Sequence, residues 1–160
     1  MRTIRFLLPL LLLALPVQAK LKVFVLAGQS NMEGAGQIQI NPRAQNQGAG
    51  TLEFLVKNAP KKYGALQTKS GEWTVRTDVW VKYGERSGGL KPGFGARSST
   101  IGPELGFGTV VGDALKEPVL IIKTCWGGKT LMVDFRPPYA GPLPKAMAAK
   151  MLAGIQRREP

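Results

Sequence analysis

Two short apolar runs, each closed by glycine, constrain this chain more than any other feature. Lys22 to Ala27 read Lys-Val-Phe-Val-Leu-Ala and stop at Gly28. Val119 to Thr124 read Val-Leu-Ile-Ile-Lys-Thr after Pro118 and stop near Gly127–Gly128. Continuous apolar runs of this length suit strands buried on both faces, as in a parallel sheet. Asp78 to Tyr83, centred on Val79, Trp80 and Val81, gives a third candidate strand. Helical patterns fall between them. Gly102-Pro103-Glu104 opens one that runs to about Leu115: proline suits the first helical position, and an acid there opposes the dipole. Gly106, Gly108 and Gly112 lower its propensity, and are expected to leave a groove for another backbone. From Pro144 to Arg157, Leu143, Met147, Met151 and Ile155 recur every four residues and make one apolar stripe. Thr51 to Asn58 reads as a shorter helix. Strands alternating with helices predict an α/β architecture with right-handed crossovers. Glu33 to Gly50 and Gly84 to Thr100, rich in glycine and polar residues, are expected to be irregular; long loops in compact domains are usually functional or disordered.

The first nineteen residues read as a segment apart from the domain at residues 20–160. Arg2 and Arg5 precede a ten-residue apolar core, Phe6 to Leu15, too short to span a bilayer. Val17 and Ala19 place small residues where a leader peptidase cuts. This is the pattern of a secretory signal peptide cleaved after Ala19, so export to a periplasm or the extracellular space is expected, with no stable membrane anchor afterwards. An uncleaved anchor is the alternative. The net charge is +12, which favours anionic polymers. The charges are scattered, however, and no nucleic-acid motif accompanies them, so no nucleic-acid partner is expected. Cys125 is the single cysteine and there is no histidine. An intrachain disulfide scaffold is excluded, the usual zinc sites are not available, and Cys125 is expected to be a small core residue. No cofactor is expected.

Chemistry concentrates just past the first strand, at Gly28-Gln29-Ser30-Asn31-Met32. A serine there stands at the C-terminal edge of the sheet, where open α/β sheets bind ligands. The glycine permits a tight turn that projects the hydroxyl and aims the following N–H groups at a developing oxyanion. The sequence is not the Gly-x-Ser-x-Gly elbow, and a serine after a strand also serves as a helix N-cap. Both readings stand on the residues alone.

The block Gly28-Gln29-Ser30-Asn31-Met32-Glu33-Gly34 resembles the nucleophile block of SGNH-type esterases, and more narrowly the sialate O-acetylesterase and acetylxylan esterase group of carbohydrate esterase family six. Ile101-Gly102-Pro103-Glu104-Leu105-Gly106-Phe107-Gly108 is similar to that family's Gly-Pro-Glu helix start. Ile121 to Leu131 is similar to its strand and Gly-Gly turn, and Val133 to Pro138 continues the block. The blocks come in the family's order and span residues 21 to 155. The resemblance implies a flavodoxin-like, three-layer α/β/α fold with a parallel sheet, the SGNH hydrolase fold. It implies hydrolysis of acetyl esters on carbohydrates through an acyl-enzyme. Ser30 matches the nucleophile, and the backbone N–H groups of Ser30 and of the Gly127–Gly128 turn match oxyanion donors. Gly127–Gly128 is equally readable as a plain turn needing positive φ. Gln29, Asn31 and Trp126 are candidate substrate-loop residues, although a core position is expected for Trp126. Glu104 is expected to cap its helix.

The family's later blocks, of the form Trp-x-Gln-Gly-Glu and Asp-x-x-His, have no counterpart here and are expected beyond Pro160. The sequence therefore reads as the N-terminal portion of such an enzyme, its sheet incomplete at the C-terminus and exposing an unpaired edge and an apolar face. Without a histidine, Ser30 has no base to take its proton, and Asp134 has no imidazole to orient. Little or no esterase activity is expected of the chain by itself. Two alternatives are a non-catalytic, exported glycan-binding half-domain, and a fragment completed by another chain that supplies Asp, His and strands.

Overall fold

The computed structural model describes residues 20–41, 43 and 47–156. The leader expected at Met1–Ala19 and the end of the last helix at Arg157 lie outside the described residues. The chain begins with strand β1 (Lys22–Gly28) and a single helical turn α1 (Ser30–Glu33). After the two-residue strand β2 (Gly36–Gln37) come α2 (Leu52–Asn58), α3 (Pro60–Tyr63) and a 3-10 turn at Gly64–Leu66. The hairpin of β3 (Arg76–Tyr83) and β4 (Arg86–Leu90) follows, then β5 (Thr100–Ile101), α4 (Pro103–Leu115), β6 (Val119–Cys125) and α5 (Lys145–Gln156). No described helix is long and apolar enough to cross a membrane.

The fold is α/β, built on a mixed sheet in the order β1-β6-β3-β4. β6 runs parallel to both β1 and β3, and β4 is antiparallel to β3. The three strands expected from the apolar runs are therefore neighbours. β4 was not expected: it lies inside the segment Gly84–Thr100. Gly84–Glu85 makes a two-residue hairpin loop with glycine at its first position, a favoured hairpin geometry. Ser87-Gly88-Gly89 hides the strand from propensity. The glycine at 89 is sterically required, because a Cβ there would run into the Arg76 carbonyl.

One face of the sheet carries the core. Val79, Val81 and Tyr83 of β3 and Val119, Ile121 and Cys125 of β6 alternate inward and are buried with Leu52, Leu90, Phe94 and Leu105. α4 covers this face, and Phe107 meets Phe24 edge-on at 5.2 Å. The groove on α4 is filled by sheet side chains and not, as expected, by another backbone. A Cβ on Gly108 would stand 2.7 Å from Leu90 Cδ2, and one on Gly112 would stand 2.6 Å from Val79 Cγ2. Gly106 faces open space. The opposite face differs from the expectation of strands buried on both sides. Val23, Leu120 and Trp80 line up across β1, β6 and β3, with Val23 51 %, Val25 61 % and Trp80 52 % exposed. β1 is also an edge strand, so its second row of backbone groups has no strand beside it. An unpaired edge and an apolar face are thus present among the described residues.

Within the core lies one ion pair. Lys123 follows Val119 and Ile121 on the inward face of β6, and its side chain is fully buried. Its Nζ donates to Glu104 Oε2 at 2.6 Å, to the Phe94 carbonyl at 2.7 Å and to the Glu33 carbonyl at 2.8 Å. All three ammonium protons are used, which is the condition for holding such a group out of water. Glu104 uses its other oxygen to accept from the Gly102 N–H at 2.9 Å. It therefore caps α4, as expected, and also neutralises Lys123.

Two predictions follow from this packing. Lys123→Met leaves the Glu104 carboxylate buried and unpaired, and should cost about 3–5 kcal/mol in urea unfolding. The double change with Glu104→Leu should recover part of that, because the Phe94 and Glu33 carbonyls still lose their donor. On α4, Gly106→Ala should stabilise by roughly 0.5–1 kcal/mol. Gly112→Ala should destabilise despite the same propensity gain, since the valine methyl it meets is stiff at χ1. A pair of denaturation midpoints moving in the same direction would contradict this packing.

Candidate active site

The C-terminal ends of β1 and β6 lie side by side, Gly28 opposite Cys125. Each chain leaves the sheet there into a turn. From β1 comes Gln29 and then α1, whose first residue is Ser30; Gln29 makes no side-chain cap. Ser30 and Asn31 are exposed. Ser30 is thus the first helical residue, not the N-cap, and its side chain faces outward. From β6 comes Trp126-Gly127-Gly128, and the Trp126 N–H donates to the Gly28 carbonyl at 3.4 Å. The parallel pairing therefore brings Ser30 and the Gly127–Gly128 turn to the same sheet edge.

The two glycines have different reasons to be there. Gly128 has φ +72°, so the turn itself calls for glycine at that position. Gly127 has no positive φ, but a Cβ on it would stand 3.2 Å from Glu33 Oε2. Trp126 is 48 % exposed and tilts against Phe135 at 6.2 Å between ring centroids. The core position expected for it is not found: the buried row ends at Cys125, one residue earlier. Cys125 is fully buried, and burial pushes its thiol pKa up, so it offers no thiolate.

A cleft of about 560 Å³ opens beside Gln29, between Ala27–Gln29 and the segment Lys129–Met132 with Phe135. Asp134 closes the turn below it. It accepts from the Thr130 N–H at 2.9 Å and pairs with Lys129 at 2.9 Å. Lys129 and that N–H hold its carboxyl below the usual range. Another cleft, of about 390 Å³, lies at the far end of β3 around Arg76. Arg76 pairs there with Asp78 and Asp113, each at 2.6 Å, and no candidate nucleophile lines it.

Beneath the turns lies a set of side chains that the sequence did not single out. Tyr83 closes β3 below the site. Its hydroxyl donates to Glu33 Oε1 at 2.8 Å and stands 2.9 Å from the Cys125 carbonyl. Burial, and then the Glu33 carboxylate, push the phenol pKa up, which keeps the hydroxyl protonated as a donor. Lys123 Nζ lies 4.8 Å from the centre of the Tyr83 ring. The end of the turn that begins at Ser30 is tied down by Lys123 on the Glu33 carbonyl and by the Ala96 N–H on the Gly34 carbonyl at 2.7 Å. Gly34 meets the Gly102 backbone so closely that no side chain fits between them. Among the described residues, no group of His, Cys, Asp and Glu is arranged to hold a metal ion.

The arrangement can present a hydroxyl beside backbone N–H donors at a sheet edge. It holds no imidazole, since the sequence has none. A solved structure of a protein from Arabidopsis thaliana matches at TM-score 0.41 with 13% identity. The match covers 69% of this chain and 42% of that one, so this chain spans less than half of that protein's length. No curated protein matches the chain at a significant level. The family model described as carbohydrate esterase, sialic acid-specific acetylesterase, matches residues 20–156. The chain belongs to this family of carbohydrate esterases.

Proposed function

We propose that the chain carries the nucleophile and oxyanion half of a carbohydrate O-acetylesterase, with Ser30 as nucleophile. The observation that supports this most directly is the placement of Ser30. It is exposed, on the first turn after a parallel strand, and hydrogen-bonding places the Gly127–Gly128 turn on the adjoining strand end. The substrate class is an acetylated sugar, as the family description suggests.

The reaction on this reading is acyl transfer. Ser30 Oγ attacks the acetyl carbonyl, and its proton passes to a base. The carbonyl oxygen becomes an oxyanion facing the N–H groups of Ser30 and of the glycine turn; each such donor is worth about 10²–10³ in rate. Collapse breaks the bond to the sugar oxygen, which takes up a proton, and leaves acetyl-Ser30. Water then releases acetate. Both steps call for a general base, whose absence costs about 10²–10⁴-fold. Residues 1–160 hold no histidine to serve as that base. The exported location expected from Met1–Ala19 remains part of the same proposal.

External imidazole can stand in for the base. With para-nitrophenyl acetate and imidazole, the chain should form an acetyl adduct on the Ser30 peptide, seen by mass spectrometry, faster than in buffer alone. Ser30→Ala should abolish the adduct and leave only the background hydrolysis caused by imidazole. An adduct on another residue, or equal labelling of the alanine variant, would remove Ser30 from the role.

A further inference from the structure

One side chain lies between the nucleophile turn and the glycine turn. Glu33 is the last residue of α1, which Ser30 begins. One carboxylate oxygen is held by Tyr83 at 2.8 Å, and the other reaches to within 3.2 Å of where a Cβ on Gly127 would stand. The Glu33 carbonyl is held by the buried Lys123 ammonium. Resting on the reading of Ser30 as nucleophile, we infer that Glu33 is a positioning residue, setting the separation between Ser30 and the Gly127–Gly128 donors.

Neither turn can set that separation unaided. α1 is four residues long and has no side-chain cap, and an isolated turn of that length does not hold its shape in water. The glycine turn lacks side chains to pack. The backbone hydrogen bond between the two, Trp126 N–H to the Gly28 carbonyl, is long at 3.4 Å and correspondingly weak. A second link runs through Tyr83, whose hydroxyl stands 2.8 Å from Glu33 Oε1 and 2.9 Å from the Cys125 carbonyl, where β6 leads into the glycine turn. The Glu33 main chain is fixed from below by a charge-assisted bond to Lys123, and its carboxylate by the Tyr83 hydroxyl; charge-assisted bonds are the stronger kind. Tyr83 is itself buried in the core at the end of β3. The sheet is thereby joined through Tyr83 to Glu33 and to the strand end before the glycine turn. This also explains glycine at 127, where φ does not call for it: a side chain there would press on the Glu33 carboxylate.

The test uses the whole chain with two readouts. One is the rate at which acetyl-Ser30 forms from para-nitrophenyl acetate with imidazole. The other is amide hydrogen exchange at residues 126–129, which does not depend on Ser30 chemistry. Glu33→Ala and Tyr83→Phe should each slow adduct formation by roughly ten- to a hundredfold, the scale of a misplaced reacting group. Both should speed exchange at 126–129, and Glu33→Gln, which keeps an acceptor for Tyr83, should restore most of the rate and protection. Tyr83→Phe keeps the core filled and serves if Glu33→Ala does not fold. Unchanged exchange at 126–129 in the folded variants would overturn the role of Glu33, whatever the adduct rate. Faster exchange with an unchanged adduct rate would also overturn it, reducing Glu33 to a structural contact. If the wild-type chain forms no adduct at Ser30, the nucleophile reading fails, and the exchange result alone decides whether Glu33 holds the glycine turn.

Discussion

A buried ammonium organises this molecule. Lys123 sits where a β6 side chain of the apolar pattern would point, and its three protons reach three separate parts of the chain. The Glu33 carbonyl belongs to the nucleophile turn, the Phe94 carbonyl to the loop after β4, and Glu104 to the first turn of α4. An aliphatic residue could fill the same space but could not tie those three together. A buried ion pair is often no more stable than a well-packed apolar substitute. Its effect here is geometric: each partner is fixed in direction as well as distance. Because Glu104 also caps α4 through Gly102, the helix that covers the core and the turn that presents Ser30 are set by one cluster.

The local signals in the sequence were sound because they depend on near neighbours. The short helix read over Thr51 to Asn58 is α2, with Thr51 as its cap, its hydroxyl accepting from the Phe54 N–H, and Pro103 does open α4. The apolar runs at β1 and β6 became paired parallel strands, which brought Ser30 and Gly127–Gly128 to one edge as the motifs suggested. The misses share a physical origin. β4 is built from Ser87, Gly88 and Gly89, whose strand conformation comes from pairing with β3 and not from propensity. Trp126 looked like core because it follows an apolar run, yet the chain turns away from the sheet one residue earlier. The Lys123–Glu104 pair and the Tyr83–Glu33 contact join residues nineteen and fifty positions apart. One clue was available: a lysine at an inward position of a buried strand has to be paired, and Glu104 opens the helix just before that strand.

Fold and chemistry divide along the same line in this chain. What the sheet can supply by topology alone is present: a hydroxyl at the end of one strand and backbone donors at the end of its parallel neighbour. These are electrostatic and positional contributions, and they depend on where backbone goes. Proton transfer is different, since it calls for a particular side chain with a pKa near the working pH. The two lysines on β6 and the turn after it are already engaged. Lys123 is committed to its three acceptors and buried, and Lys129 is paired with Asp134. On the proposed reading of Ser30, residues 1–160 hold the positional part of the chemistry and no imidazole.

The uncovered sheet face has a consequence for that division. Among the described residues, the buried apolar cluster lies on one face of the sheet, where α4 and Leu52 of α2 pack against β3, β4 and β6. Val23, Val25 and Trp80 are at least half exposed and contribute far less than they would if covered, at about 25 cal/mol per Å² of apolar surface. In so thin a core, the cost of desolvating Lys123 and Glu104 is a larger share of the total than it would be in a two-sided sheet. The pair is tolerated because every proton and oxygen facing inward is matched. The same charged cluster that costs desolvation in this core also ties the turn beginning at Ser30 to the first turn of α4.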